Sequence, residues 1–388
     1  MNIHIGGESE TRTAKGTRTR RWVSCQRSEG AGPFTKKLGV RRVTVTTILG
    51  FVLAVSAAAQ DSAPWSRTAA VGLGPLLLRA QSPMAILRLS PTPEVPQTLA
   101  PGQWEVEALA SWNNCFDADP GLYTIDAEVV RFSTTVGYGV SDRWDLRVSV
   151  PVSYRGGGIL DRFIEGFEET VGVPNRDRKL VPRNRYLVEI HGRDGQVMRR
   201  TGSDAGWGLE DSVLAARYQV APGDTTHPAV LLAIGVKLPT GREAALYSSG
   251  GADMGACVSV AQRLSRSFHL YGSLAVMRYA ATEMAGVQLT HAQASLFAAL
   301  EYRHSERTSW LLQALVTTPG AEHFGGFSRR TYEVSTGFKH LLRPDLLLEA
   351  SLLENLFIFD NSPDVGFHVG LVWRSTPRMK EWGRAGRP

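Results

Sequence analysis

Trp144-Asp145-Leu146-Arg147-Val148-Ser149-Val150-Pro151-Val152-Ser153-Tyr154-Arg155 decides the fold. In an extended chain successive side chains alternate between faces. Trp144, Leu146, Val148, Val150, Val152 and Tyr154 therefore share one face, and Asp145, Arg147, Ser149, Pro151, Ser153 and Arg155 the other. The same alternation groups Val230, Leu232, Ile234, Val236 and Leu238 opposite Ala229, Ala233, Gly235 and Lys237. Near the C-terminus it groups Val365, Phe367, Val369, Leu371 and Trp373 opposite Gly366, His368, Gly370 and Arg374. A soluble sandwich and a membrane barrel both alternate, so length separates them. Sandwich strands run about five or six residues, whereas a tilted strand crossing hydrocarbon needs about nine to eleven. The alternating runs here commonly reach about ten to fifteen residues, with small or polar residues on the second face. Aromatics at strand ends (Trp144, Tyr154, Trp310, Phe357, Trp373) suit the interfacial girdles of a transmembrane barrel.

Working outward from that stretch, the sequence predicts an all-β, antiparallel transmembrane barrel of twelve strands. They are placed at 104–113, 122–138, 143–155, 208–220, 228–239, 252–264, 267–280, 288–304, 308–318, 328–341, 345–358 and 363–374. Tight connections at 139–142, 265–266, 305–307 and 342–344 alternate with longer ones at 156–207, 240–251, 281–287 and 319–327. That is the asymmetry of short periplasmic turns and longer external loops. Two places fit less simply. The apolar parity changes near Val129-Val130, which predicts a bulge, and 185–201 can form another hairpin around Arg193-Asp194-Gly195. Counting that hairpin gives fourteen strands. Twelve is preferred because Gln196–Thr201 is short for a crossing and Arg199-Arg200 is costly near hydrocarbon.

The chain has 388 residues, 43% hydrophobic, with 39 glycines and a formal charge of +6. This excludes a disordered or collagen-like chain. The positive charge is local: ten Lys/Arg face three acids from Met1 to Ala59, leaving 33 basic against 34 acidic groups, net −1, in the remainder. No nucleic-acid partner is expected from that balance. Lys36-Lys37-Leu-Gly-Val-Arg41-Arg42, the apolar Val43–Val55 and Ala57-Ala58-Ala59 follow the order of a signal peptide cleaved after Ala59. The expected organisation is a leader over 1–59, a Pro-rich segment over 60–102, the barrel over 103–374 with an insert at 156–207, and a polar tail over 375–388.

Cys25 follows an Arg-rich stretch and does not fit a lipoprotein, while Cys115 and Cys257 could pair in an oxidising compartment. No metal-ligand spacing occurs, and no cofactor or metal is expected.

Within the insert, Phe163, Ile164, Phe167 and Val171 fall at helical spacing along Ile159–Val171. With Arg162 and Glu165 they form the candidate gate, and the helix can pack on the barrel rim, plug the lumen or lie on the outer leaflet. Rim packing is preferred. By parity the candidate lumen groups are Arg147, Arg217, Lys237, His291, Gln293, Glu301, Arg303, Glu333 and Lys339. Such groups either tune selectivity or form an ion-paired filling of the interior.

Arg79-Ala80-Gln81-Ser82-Pro83, and Leu160-Asp161-Arg162-Phe163-Ile164-Glu165-Gly166-Phe167 followed by Gly172-Val173-Pro174-Asn175, resemble a bacterial family known only as a domain of unknown function and regarded as outer-membrane β-barrels. Gly235-Val-Lys-Leu-Pro-Thr-Gly241 is similar to a strand-to-loop junction in barrels associated with phenol degradation. The resemblance runs from about Leu77 to Arg374. It implies a barrel in the bacterial outer membrane and no activity. The chain departs from that pattern at Ala80 and Ser82, and in the polar tail from Ser375 to Pro388 that follows the last strand.

Three function classes follow. The first is a passive channel or binding barrel for small molecules, hydrophobic ones among them, with outer-membrane lipid and the barrel assembly machinery as partners. The second is a structural or surface barrel, which conductance would exclude. The third is an outer-membrane lipid hydrolase, which needs a serine, a base and an orienting group within reach. No catalytic residue is assigned: Ser111 lacks a neighbouring histidine, His304-Ser305 falls in a tight turn, and Glu165 with Glu168 or Glu169 reads as a solvated helix face.

Overall fold

The computed structural model describes residues 65–162, 164–166, 182–354 and 361–377. The chain divides into two units, Met1–Ala58 and Ala59–Pro388, and the second holds everything below. The leader and its cleavage site, together with Phe163, Phe167, Val171 and Phe357, lie outside the described residues.

The strands are β1 (Trp104–Asp119), β2 (Tyr123–Gly139), β3 (Trp144–Gly156), β4 (Leu187–His191), β5 (Val197–Thr201), β6 (Gly206–Leu209), β7 (Ser212–Ala221), β8 (Ala229–Leu238), β9 (Asp253–Arg263), β10 (Phe268–Arg278), β11 (Glu283–Met284), β12 (Val287–Gln288), β13 (Ala292–Arg303), β14 (Thr308–Thr317), β15 (Thr331–Arg343), β16 (Leu346–Glu354) and β17 (Val365–Arg374). Twelve of them (β1–β3, β7–β10 and β13–β17) pair antiparallel in succession. β17 returns to β1, with Glu105 opposite Arg374 and Asn114 opposite Val365, so the barrel is closed. Closure removes the unpaired sheet edges that lipid cannot hydrogen-bond.

The alternation lands as the sequence predicts. Trp144, Leu146, Val148 and Val150 are exposed on the outer wall while Asp145, Arg147 and Arg155 are buried inside. An aromatic belt circles the short-turn end of that wall, where Trp104 meets Tyr138, Trp144 meets Tyr218, Phe268 meets Tyr302 and Trp310 meets Phe338, at centroid distances of 4.6, 4.8, 5.2 and 5.7 Å. Such rings suit the boundary between hydrocarbon and water. Leu274 is 55% exposed in the middle of β10, and Val140 is 53% exposed in a turn at the barrel end. Leu274→Arg is expected to destabilise the barrel by about 2–4 kcal/mol in lipid, and Val140→Arg by about 0–1 kcal/mol. Urea titration in bilayers checks this, and equal costs would contradict a membrane band at Leu274.

Three details differ from the sequence reading, and a fourth, the hairpin at 185–201, agrees with its count of twelve barrel strands. The parity change in β2 is not a bulge, because its pairing with β1 and with β3 runs without a register shift. Tyr123, Ile125 and Ala127 point inward like Arg131 and Ser133, but they meet an apolar cluster under the long loops where the others meet a polar lumen. The hairpin at 185–201 forms as β4 and β5, yet it adds no barrel strands. β4 pairs only with Tyr123–Asp126 of β2, beyond the point where β2 leaves β3. The expected strand 208–220 breaks at Glu210-Asp211, whose carboxylates turn to Arg131 and Lys237. Finally, 288–304 is two elements, since Ala285 and Gly286 adopt positive φ and turn β11 into β12 before β13 begins.

Candidate functional site

The Pro-rich segment fills the barrel. Residues 65–103 enter at the short-turn end, rise to the long loops and return to start β1, forming a strap inside the lumen. Pro91, Pro93 and Pro96 hold the descending arm extended and remove its donors. The remaining buried N–H groups need acceptors, because an orphaned amide costs about 1–3 kcal/mol. The wall supplies them from inward positions. Leu73 N–H donates to Glu301 Oε1 (2.8 Å), Leu76 to Gln313 (3.1 Å), Leu77 to Glu349 (2.9 Å) and Gln81 to Glu333 (2.9 Å) on the ascending arm. On the descending arm Leu89 donates to Asp253 (3.0 Å), Thr98 to Gln219 (2.9 Å) and Leu99 to Asp145 (2.9 Å). The arms touch at Gly74, where φ is +87° and a Cβ would strike the Val95 side chain.

At the tip, Arg88 is 1% exposed. It donates to the carbonyls of Gly320, Ala281 and Thr290 and lies 3.9 Å from the Tyr279 ring centroid. Arg79 donates to the Ala85 and Arg88 carbonyls and closes the tip on itself.

The candidate lumen residues divide by what they meet. Arg147 binds Glu105 and Glu107, both at 2.5 Å, while Arg217 binds Asp145 at 2.5 Å and Glu94 of the strap at 2.8 Å. Lys237 binds Asp211 and Asp253, and Lys339 meets Glu349, which also accepts from His368 at 2.7 Å. Glu301 and Glu333 hold the strap, and Gln293 accepts from the Tyr279 hydroxyl at 2.8 Å. Two of the nine lie elsewhere. His291 is exposed ahead of β13, because the strand starts four residues later than expected, and Arg303 sits at the short-turn mouth. The candidate set omits Asp145 and His368, which the alternation places on the inward face, and Asp253, Gln313 and Glu349, which face inward just as regularly. Asp145, Asp253, Gln313 and Glu349 meet a nonperiodic segment that leaves no local trace.

The described part of the insert helix, 161–162 and 164–166, lies outside the barrel. Leu160 and Ile164 pack on Trp112, Leu352, Val365 and Phe367, all on outward positions of β1, β16 and β17. Arg162 is exposed, and Glu165 accepts from Arg183 Nε at 3.0 Å, a bond that holds the guanidinium pKa above its ordinary value. Cys115 and Cys257 are not joined to each other, and Ser111 donates to Gln81 Oε1 at 3.3 Å.

A cavity of about 140 Å³ runs between the strap and one side of the wall, where Ser133, Ser149, Ala215, Ala233, Gly235 and Gly255 project little into the lumen. A second of about 80 Å³, lined by Met84, Ile125, Val188, Met284 and Phe324 among others, lies in the apolar cluster at the long-loop end.

The family described as "Protein of unknown function (DUF3187)" matches residues 47–375. No curated protein matches the chain. Among solved structures, the COG4313 outer membrane channel from Pseudomonas putida F1 is similar with a TM-score of 0.50 and 11% identity, covering 72% of this chain and 97% of that one. The NanC porin gives 0.39 and 8%, covering 70% and 98%. The CymD monoaromatic hydrocarbon channel gives 0.32 and 9%, covering 72% and 89%. At these identities the likeness is one of fold, a closed barrel of the outer-membrane type.

Proposed function

The chain belongs to this family of unknown function, and from a barrel whose lumen is threaded by its own N-terminal segment we propose a small-molecule channel of the bacterial outer membrane that movement of residues 65–99 opens. The cavity beside the strap carries this reading. At about 140 Å³ it is close to the roughly 150 Å³ of an engineered protein cavity that takes up benzene. Its wall combines small side chains with Arg79, Arg131 and Glu107, which suits a partly apolar molecule bearing a polar group. Between Leu89 and Thr98 the wall holds the descending arm at Glu94, Pro96 and Gln97 through Arg217 and Gln219, so a passage can widen beside Ser90–Pro93 without unmaking the ascending arm. The reading places the short turns in the periplasm and requires export by the leader over residues 1–59.

Single-channel recording in planar bilayers tests it. The full chain is expected to show small, infrequent steps, and removal of residues 65–99 to enlarge them several-fold, since a twelve-stranded lumen is otherwise filled by side chains and this strap. Removal of 158–182 is expected to leave conductance unchanged, because Leu160 and Ile164 pack on the outer wall. Silence in all three would overturn the channel. Silence together with ligand uptake in the cavity would favour a binding barrel, a reading supported by the nine strap amides held by wall side chains.

A further inference from the structure

The strap leaves a recess of about 780 Å³ open at the short-turn mouth, within the size range of small-molecule sites. Five arginines line it. Arg67 of the strap pairs with Asp142 at 3.6 Å; the other four are Arg263 and Arg303, at the inward ends of β9 and β13, and Arg266 and Arg307, in the turns that follow those two strands. The inward-facing wall arginines Arg131, Arg147 and Arg217 are matched to carboxylates. Among the described residues none of the four at the mouth forms an ion pair. Arg263 Nε donates to the Ser265 carbonyl at 3.0 Å and an Arg303 terminal nitrogen to the Glu306 carbonyl at 3.2 Å, which leaves most of their donors uncommitted. The acid among the lining residues is the exposed Glu306. At the floor His269 is 2% exposed, and its Nδ1 is buried with no hydrogen-bond partner. Four like charges gathered at one mouth repel one another unless an anion joins them, and guanidinium forks match phosphate and carboxylate geometry.

We propose that this recess binds a small soluble oxyanion, phosphate or polycarboxylate, held by Arg263, Arg303 and Arg307 above His269. The inward positions of Arg263 and Arg303, behind the outward rings of Phe268, Tyr302 and Trp310, aim the site at the aqueous mouth and away from lipid headgroups. The proposal does not require the lumen to conduct.

Isothermal titration of the purified full-length protein in micelles, with inorganic pyrophosphate and with citrate as probes, tests it. Saturable binding is expected, weakened at least about tenfold in Arg263→Gln/Arg303→Gln and less in Arg303→Lys, which keeps the charge but loses the fork. Arg143→Gln, in the β2–β3 turn at the same end of the barrel and outside the recess, is expected to bind as the unaltered protein does. Retained heat-modifiable migration on gels shows that each variant is a folded barrel. Absence of binding, or equal binding by the double variant, overturns the proposal. So does loss of pyrophosphate binding in nanodiscs containing phosphatidylglycerol but not in those of phosphatidylcholine alone, which would assign the arginines to a headgroup.

Discussion

Glu301→Ala is expected to cost the barrel more than about 3 kcal/mol and to raise its conductance, because one carboxylate holds the foot of the strap. Glu301 is 0% exposed. It accepts from Leu73 N–H at 2.8 Å, Gly74 N–H at 3.2 Å, and the hydroxyls of Tyr271 and Ser309 at 2.5 Å each. Alanine leaves four buried donors without that acceptor, at about 1–3 kcal/mol for each that finds no other partner. The hydroxyls can rotate to new partners and the backbone amides cannot, so the loss falls chiefly on the strap. Glu301→Gln keeps one acceptor oxygen and should lie between. Urea unfolding followed by tryptophan fluorescence, beside channel recording, checks both. A loss below about 1 kcal/mol would mean that water already shares these donors.

The wall was legible in the sequence and the filling was not, for the same physical reason. A barrel strand meets lipid along its whole outer face, so Trp144–Tyr154 or Val365–Trp373 repeats every two residues and declares itself locally. The strap has no repeating neighbour. Its Leu73, Leu76 and Leu77 meet Glu301, Gln313 and Glu349, partners 228, 237 and 272 residues away. Nothing in 65–103 alone points to them. The charged inward positions carried half of the message, since Glu301 and Glu333 were placed inside, but what they hold depends on a segment read only as Pro-rich. Val129-Val130 shows the converse limit. The strand is regular, and the change lies in what faces it, a polar lumen below and an apolar cluster above. The insert helix declared its apolar stripe through Ile164, yet both walls of a barrel end can take such a stripe, and only tertiary packing sends it outside.

Lys237→Met is expected to cost about 3–5 kcal/mol, the penalty for leaving buried carboxylates without their cation. Lys237 is 2% exposed. Its Nζ lies 2.5 Å from Asp211 Oδ2 and 3.2 Å from Asp253 Oδ2, and donates to Ser249 Oγ at 2.9 Å and the Leu87 carbonyl at 3.2 Å. Here the β6–β7 break, the 239–252 loop, the wall and the strap tip converge on one charge. Methionine fills similar volume, so packing alone predicts a small effect. The electrostatic account predicts a large one that Lys237→Met/Asp211→Asn/Asp253→Asn largely reverses, because a neutral set of similar shape replaces a buried ion cluster at little cost. The amide oxygen introduced by Asp253→Asn can still accept from Leu89 N–H, so the strap contact now made by Asp253 survives in the triple variant. Urea midpoints for the single and triple variants decide between the accounts. If the single substitution costs less than about 1 kcal/mol, water reaches Asp211 and Asp253 from the long-loop side, and the strap tip does not seal that end of the lumen.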